Sequence, residues 1–383
     1  MPPTCESRRR SPPMYLQHLH LRNFRNYRDQ ALTFTAPKTI ILGDNAQGKS
    51  NLLEAIELLA TLKSHRSSRD RDLIHHSTDS SQINATIAQR YSTVELGCTL
   101  RHPGRRTLSR NHEPLKRQLD ALGTLNAVQF SSLDLDLVRG TPEDRRRWLD
   151  NLVVQLEPVY AHILQEYTHV LRQRNALLRQ HRGEKTLSPQ QLALWDAQLA
   201  AHGGRVTRRR ARVLARLAPL AQAWHSQISG QPEILTLTYS PNVPWQTDDP
   251  QQVQQAFLAC IQQRQTVETQ RGTTMVGPHR DDLELLINDI PARSYASQGQ
   301  QRTLVLAIKL AELHLIEAVT GEPPLLLLDD VLAELDLQRQ NHLLAAIQDR
   351  FQTVITTTHL AGFDGAWQQA AQQLTVEAGQ ITP

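Results

Sequence analysis

Three short blocks hold residue types that together can manage a nucleoside triphosphate. Gly43, Asp44, Asn45, Ala46, Gln47, Gly48, Lys49 and Ser50 fit the pattern G-x-x-x-x-G-K-[ST]. Apolar Thr39-Ile40-Ile41-Leu42 precedes them as a buried strand, and Asn51-Leu52-Leu53-Glu54-Ala55-Ile56 opens an amphipathic helix, which is the setting of a P-loop. Gly43 and Gly48 let the backbone curl until its N–H groups and the helix N-terminus face phosphate oxygens. Lys49 would reach the β and γ phosphates, and the Ser50 hydroxyl would be a ligand for Mg²⁺. The expected cofactors are therefore ATP and Mg²⁺.

The second block, Leu325-Leu326-Leu327-Leu328-Asp329-Asp330, is an apolar run ending in two carboxylates. A central parallel strand that opens onto a ligand crevice reads this way. Asp329 would hold Mg²⁺ through water and Asp330 would orient the attacking water.

The third block, Ser297-Gln298-Gly299-Gln300-Gln301, precedes a long helical stretch from Arg302 to Glu312. On the residues alone it reads equally as a helix cap after a turn. It also resembles the signature motif of ABC-type ATPases, and that resemblance implies a role for Ser297, Gly299 and Gln300: with the helix N-terminus, they cap the γ-phosphate held by an opposite subunit. Hydrolysis then requires an ATP-dependent homodimer with two nucleotides sandwiched between heads. Glu334-Leu335-Asp336 resembles the loop that crosses such an interface, and His359, after Thr353-Val354-Ile355-Thr356-Thr357-Thr358, stands where this family carries a γ-phosphate sensor.

Further blocks narrow the resemblance to the RecF recombination-mediator family. They are Leu19-His20-Leu21-Arg22-Asn23-Phe24-Arg25-Asn26-Tyr27, the run from Gly140 to Asp150, and Met275-Val276-Gly277-Pro278-His279-Arg280-Asp281-Asp282, with the signature extended into Gln301-Arg302-Thr303. The G-P-H-R-D-D block is the most specific of these. The resemblance implies a bacterial DNA-repair protein that binds DNA at single-stranded/duplex junctions as an ATP-dependent dimer. It also implies RecR- and RecO-like mediator partners. RecF-like chains, like this one, carry aspartate at Asp330 where transporter ATPases carry glutamate; the shorter arm sets the base farther from the water, so slow hydrolysis suited to a switch is expected. Whether Arg25 and Asn26 contact nucleotide or only end a strand is open at this level.

The elements that must position these groups follow from pattern. Residues 15–42 alternate as an antiparallel hairpin before the P-loop strand, and a second β-rich stretch covers about 82–130. From Pro142 to about 226 the period turns helical, with Leu156, Val159, Tyr160, Ile163, Leu164, Tyr167, Val170 and Leu171 expected on one face. Gly183 and Ser188-Pro189 interrupt the pattern after a few turns, so the helices form a compact lobe rather than a long coiled-coil arm. Pro241-Asn242-Val243-Pro244 reads as a loop and 251–271 as one more helix. The expected class is α/β: an ABC-type P-loop ATPase head with a mixed β-sheet and flanking helices, plus a compact, mostly helical second lobe. The expected divisions are 14–140 and 276–383 for the head and 141–275 for the helical lobe. Residues 1–13 are expected to be a disordered extension or a start-codon artefact.

Bulk properties exclude more than they assign. At 383 residues two domains are possible, and a net charge of +4 is a weak pointer to nucleic acid. The densest basic run spans Arg205 to Arg212, and Arg101, Arg105, Arg106 and Arg110 form another; either contacts phosphate or is a solvated face. Arg172, Arg174, Arg179 and Arg182 are expected on the surface of the helical lobe. Cys5, Cys98 and Cys260 lie far apart without C-x-x-C, which argues against a metal site or disulfide scaffold and suits a cytoplasmic location. No run approaches the roughly 18–20 apolar residues of a membrane span, and no membrane partner is expected. An energy module for a transporter and a non-catalytic scaffold are the competing functions. Against the first stand the wide spacing of the P-loop and Asp329, about 280 positions, and the G-P-H block.

Overall fold

Strict alternation of buried and exposed residues builds the first sheet. In the computed structural model, which describes residues 14–181, 189–332, 335–347, 350–360, 363 and 365–382, β1 (Tyr15–Phe24) and β2 (Tyr27–Thr33) pair antiparallel across a tight turn that sets Phe24 opposite Tyr27. Residues 1–13, Arg182, Gly183, Ser188 and Glu334 lie outside the described residues. β3 (Lys38–Leu42), buried on both faces, runs into the P-loop, and α1 (Lys49–Thr61) follows. β4 (Ser80–Ala88), β5 (Thr93–Arg101), β6 (Thr107–Arg110) and β7 (Glu113–Pro114) complete a six-stranded antiparallel sheet in the order β2-β1-β4-β5-β6-β7. One of its faces is apolar and the other polar, as the alternation requires. β8 (Ala127–Phe130) leaves this sheet for a second one.

The chain divides into two compact units, Met1–Ser132 with Ile316–Pro383, and Leu133–Leu315. The second begins with α2 (Asp136–Arg139), α3 (Pro142–Leu156), α4 (Val159–Gln180) and α5 (Pro189–Ser229). Thr141 and Asp144 close a capping box at the start of α3, with Pro142 at the first turn, where its missing N–H costs nothing. β9 (Leu235–Ser240), α6 (Pro250–Arg271), β10 (Asp282–Ile287) and β11 (Ile290–Pro291) follow, the strands forming a small antiparallel sheet in the order β11-β10-β9. The Pro241–Pro244 segment is a loop, as expected. On α4, Tyr160, Tyr167 and Val170 are buried, but Val159 is 56% exposed. It is the first helical residue, where the chain has just left α3. α7 (Ala292–Tyr295) and α8 (Gln298–Thr320) end this unit, and the last turn of α8 belongs to the first.

Back in the first unit, β12 (Leu325–Asp329), α9 (Leu337–Ile347), β13 (Thr353–Thr357), α10 (Gly365–Ala370), β14 (Gln372–Glu377) and β15 (Gln380–Thr382) close the chain. The second sheet runs β15-β14-β3-β13-β12-β8, parallel except for the β14–β15 hairpin. Because β3, β12 and β13 are covered on both sides, they read as continuous apolar runs rather than alternating ones. Leu52, Leu53 and Ile56 of α1 share one core with Leu16, Leu19 and Ile83 of the antiparallel sheet and with Ile41, Leu327 and Val354 of the parallel one. Each such side chain stabilises the unit by about 1.5–3 kcal/mol through burial, and Leu52→Ala would cost about 2–5 kcal/mol once the cavity is included. The P-loop is thus mounted on a rigid three-layer support.

Candidate nucleotide site

The loop between β3 and α1 curls as its glycines predict. Gly48 stands at φ 119 as the N-cap of α1, and a side chain there would meet Asn26 Nδ2 at 2.5 Å. Ala46, at φ 65, takes the left-handed region without being glycine. Asp44, Asn45 and Ala46 are exposed, whereas Lys49 is buried beneath the loop and donates from Nζ to Gly43 O at 2.5 Å and Asp44 O at 3.0 Å. A cation held under a curl of backbone at a helix N-terminus is the cradle a polyphosphate needs.

Neighbours absent from the motif brace this loop. Asn26 donates to Gln47 O at 2.8 Å and accepts from Asn51 Nδ2 at 2.8 Å, and Tyr27 donates its hydroxyl to Gly48 O at 2.9 Å. From the β14–β15 turn, Ala378 N reaches Gln47 Oε1 at 2.7 Å and Gly379 N reaches Gln47 O at 3.1 Å. Arg25 is committed to fully buried Glu54 of α1 through two bonds of 2.9 and 2.6 Å. Only the position of Arg25 and Asn26 before the P-loop strand hints at this in sequence.

The strand order β3-β13-β12 brings the acidic block beside the P-loop at the C-terminal edge of the parallel strands, the crevice expected of such sheets. Ser50 Oγ donates to Asp329 Oδ1 at 2.8 Å, and Thr356 Oγ1 lies 2.8 Å from the same oxygen. A hydroxyl and a carboxylate in direct contact below a phosphate cradle form an oxygen donor set of the type Mg²⁺ takes, usually with waters and phosphate oxygens completing it. Asp330 adopts φ 55, and its N–H donates to Thr356 O at 3.2 Å and Oγ1 at 3.1 Å. Its Oδ1 is buried with no hydrogen-bond partner among the described residues. Burial raises the Asp330 carboxyl above its ordinary value, Lys49 pulls it back, and the Asp329 charge raises it further. His359 is exposed at the end of β13, and its charge also favours the Asp330 carboxylate. Gly43 to Ser50, Asp329, Asp330 and His359 therefore gather in one unit.

Ser297, Gly299 and Gln300 belong to the second unit. Ser297 N donates to Gln300 Oε1 at 2.8 Å and Gln300 N to Ser297 Oγ at 3.2 Å, a capping arrangement at the start of α8. Gln300 also donates to Glu233 at 2.8 Å, and Gln301 accepts from Arg139 at 2.6 Å. Ser297 is exposed. The block is a built helix N-terminus facing outward, able to receive an anion.

The G-P-H-R-D-D block, by contrast, is largely packed into its own unit, with Gly277, Pro278 and Asp281 buried and Arg280 exposed. Asp281 is fully buried, accepting from Tyr239, from Asn242 N at 2.7 Å and from Thr207 at 3.3 Å. Arg210 forks onto Asp150 at 2.8 and 2.9 Å and donates to Pro278 O at 2.7 Å. Arg145 forks onto Asp282 at 2.8 and 2.9 Å; burial opposes the Asp282 charge, but these bonds outweigh it and lower its pKa. His279 meets the Tyr167 hydroxyl at 2.5 Å, and burial pushes its pKa down to about 4. The Arg205–Arg212 run is divided: Arg205 and Arg212 are exposed, and four of its arginines are paired with acids. Arg210 is buried, Arg208 and Arg212 both pair with Asp248, and Arg209 pairs with Glu157. Arg174, expected on the surface, is fully buried between Asp196 and Glu268 at 2.7 Å each.

Residues 15–381 match the RecF/RecN/SMC N-terminal domain family. The chain is 66% identical over 379 residues to the DNA replication and repair protein RecF of Rippkaea orientalis (strain PCC 8801 / RF-1), across 97% of this chain and 100% of that one. It is 63% identical over 372 residues to the RecF protein of Nostoc punctiforme (strain ATCC 29133 / PCC 73102), across 97% and 100%. Among solved structures, the recombination mediator protein RecF-ATP in the RecFOR pathway matches with a TM-score of 0.90 and 30% identity, covering 98% of this chain and 99% of that one. The Smc head domain of Pyrococcus furiosus, bound to the C-terminal domain of ScpA, matches in fold alone, with a TM-score of 0.54 and 15% identity over 96% of this chain and 95% of that one. The fold is that of ABC-type ATPase heads with mixed sheets and flanking helices.

Proposed function

This chain belongs to the RecF family, and from that premise we propose that it is an ATP-gated DNA clamp of recombinational repair and replication restart. The observation that carries the proposal is the Ser50–Asp329 hydrogen bond of 2.8 Å, which joins the P-loop to the acidic strand end beside Asp330, half-buried and at φ 55. Lys49 and the loop N–H groups hold the β and γ phosphates of ATP, and Ser50 and Asp329 hold Mg²⁺. The metal, when bound, neutralises charge on the phosphate oxygens. Asp330 accepts a proton from water as its oxygen bonds to the γ-phosphorus and the bond to the β-phosphate oxygen breaks, leaving ADP and inorganic phosphate. His359 senses the γ-phosphate. In a second copy of the chain, Ser297, Gly299 and Gln300 cap that phosphate, so ATP closes two chains into a dimer and slow hydrolysis reopens it.

The dimer binds DNA at single-stranded/duplex junctions, works with RecR- and RecO-like partners in loading recombinase, and acts in the cytoplasm. Phosphate contacts fall to exposed arginines such as Arg101, Arg105, Arg172 and Arg179 rather than to the internally paired run at Arg208–Arg212. Family membership replaces the transporter reading, and no described helix is long and apolar enough to cross a membrane. Fluorescence anisotropy on gapped duplex DNA tests the proposal. ATP with Mg²⁺ should tighten binding about tenfold or more over ADP, the scale of ordinary coupling between two sites. Equal affinity with ATP, ADP or no nucleotide would contradict it.

A further inference from the structure

Thr356 stands outside every motif of the nucleotide site, yet its one hydroxyl meets the carboxylate of Asp329 and the backbone N–H of Asp330. It lies on β13 directly opposite Asp329 in the parallel register and is 1% exposed. Its Oγ1 is 2.8 Å from Asp329 Oδ1, the same oxygen that receives the Ser50 hydroxyl at 2.8 Å. It also accepts the Asp330 N–H at 3.1 Å, on the residue held at φ 55. With two hydroxyls fixed on Oδ1, rotation of the Asp329 carboxylate is stopped and Oδ2 is left for other ligands. The left-handed backbone of Asp330 is held by two bonds from its N–H, to the Thr356 carbonyl and hydroxyl.

The geometry points to Thr356 as a positioning residue for Mg²⁺-dependent ATP chemistry: one hydroxyl sets the rotation of the metal-holding Asp329 and the backbone of the water-orienting Asp330. This inference rests on the proposed ATP and Mg²⁺ site. Hydrogen-bond partners of metal-holding carboxylates typically contribute 10–100-fold in metal affinity or activity. Thr356 touches neither nucleotide nor water in this scheme.

The test compares Thr356→Val, which keeps the branched shape and removes the hydroxyl, with Thr356→Ser, which keeps the hydroxyl. Mg²⁺ is titrated into protein with ATP, and binding and turnover are read separately. In Thr356→Val, half-saturation by Mg²⁺ should rise about tenfold and turnover should fall about tenfold or more. Metal-free ATP affinity should not change, and Thr356→Ser should restore both readouts to near wild type. Should the valine variant fail to fold, Thr356→Cys, of similar size and a weak donor, is expected to show the same shifts. An unchanged Mg²⁺ requirement in Thr356→Val, or equal damage in the serine and valine variants, would overturn the positioning role. If wild-type protein binds ATP with no Mg²⁺ dependence, the site reading itself fails, and the Thr356 role fails with it.

Discussion

The nucleotide site and the buried network around Asp281 treat charge in opposite ways. At the first, Asp330 stands in the left-handed region at φ 55 with an Oδ1 that has no partner among the described residues, and Asp44 is exposed. At the second, Arg210, Asp150 and Asp281 are sealed from solvent and matched by forked bonds, a tyrosine and a backbone N–H. A buried carboxylate oxygen left open beside a phosphate cradle suits a place where a ligand is to be held. Matched pairs gather where the chain is to be fixed. Asp281 and Asp282 of the G-P-H-R-D-D block thus hold their own unit together, whereas the P-loop and the Asp329–Asp330 strand end leave groups open to a ligand.

Arg210→Ala would test this division most severely. It leaves Asp150 and Asp281 uncompensated, so chemical denaturation should show a loss of about 3–5 kcal/mol. A loss under about 1 kcal/mol would put the network in the class of surface pairs and break the comparison. Lys49→Ala should do the reverse. It removes the charge-assisted bonds to phosphate, worth about 3 kcal/mol, so calorimetry should record at least about a hundredfold weaker ATP binding with an unmoved unfolding midpoint.

The pH response sharpens the contrast further. His279, held near 4 by burial, stays neutral in the folded chain while the unfolded chain takes up a proton below its ordinary value of 6.5. Its stabilising contribution is full above that ordinary value and is lost as pH falls toward the folded one, on the order of 2–3 kcal/mol by pH 4. Melting curves from pH 7.5 to 4.5 should show this slope in wild type and a shallower one in His279→Gln. Asp330 has the opposite sign. Because its folded pKa is raised, its favourable term exists below the unfolded carboxylate value and is lost as pH rises through the folded one, so at neutral pH the charged side chain is a net penalty. Asp330→Asn, which tolerates the left-handed region, should leave stability unchanged or slightly raised while slowing ATP turnover. A clear stability decrease would argue against a net charge penalty at Asp330.

Much of this is legible in sequence where the signal is local. The P-loop, the apolar run ending at Asp329 and the β1–β2 hairpin each follow from spacing within a few residues. Asn26, Ala378 and Thr356 are not readable in that way, because each acts through hydrogen bonds between segments distant in the chain. Arg174 and Arg210 mislead for another reason. Long cationic side chains on helices resemble a solvated face until the acids that bury them, Asp196 and Glu268 or Asp150, are located in space.

Sedimentation velocity of the full chain, with and without ATP and Mg²⁺ and with gapped duplex DNA present, reads the ATP-gated dimer itself. The account predicts a monomer that becomes a DNA-retaining dimer only with ATP. Lys49→Ala should remain monomeric at ATP concentrations that saturate the wild type, because its ATP binding is weakened, and Ser297→Arg should remain monomeric while still binding ATP. A wild-type chain whose sedimentation is indifferent to ATP, or a Ser297→Arg variant that still dimerises, would contradict the account.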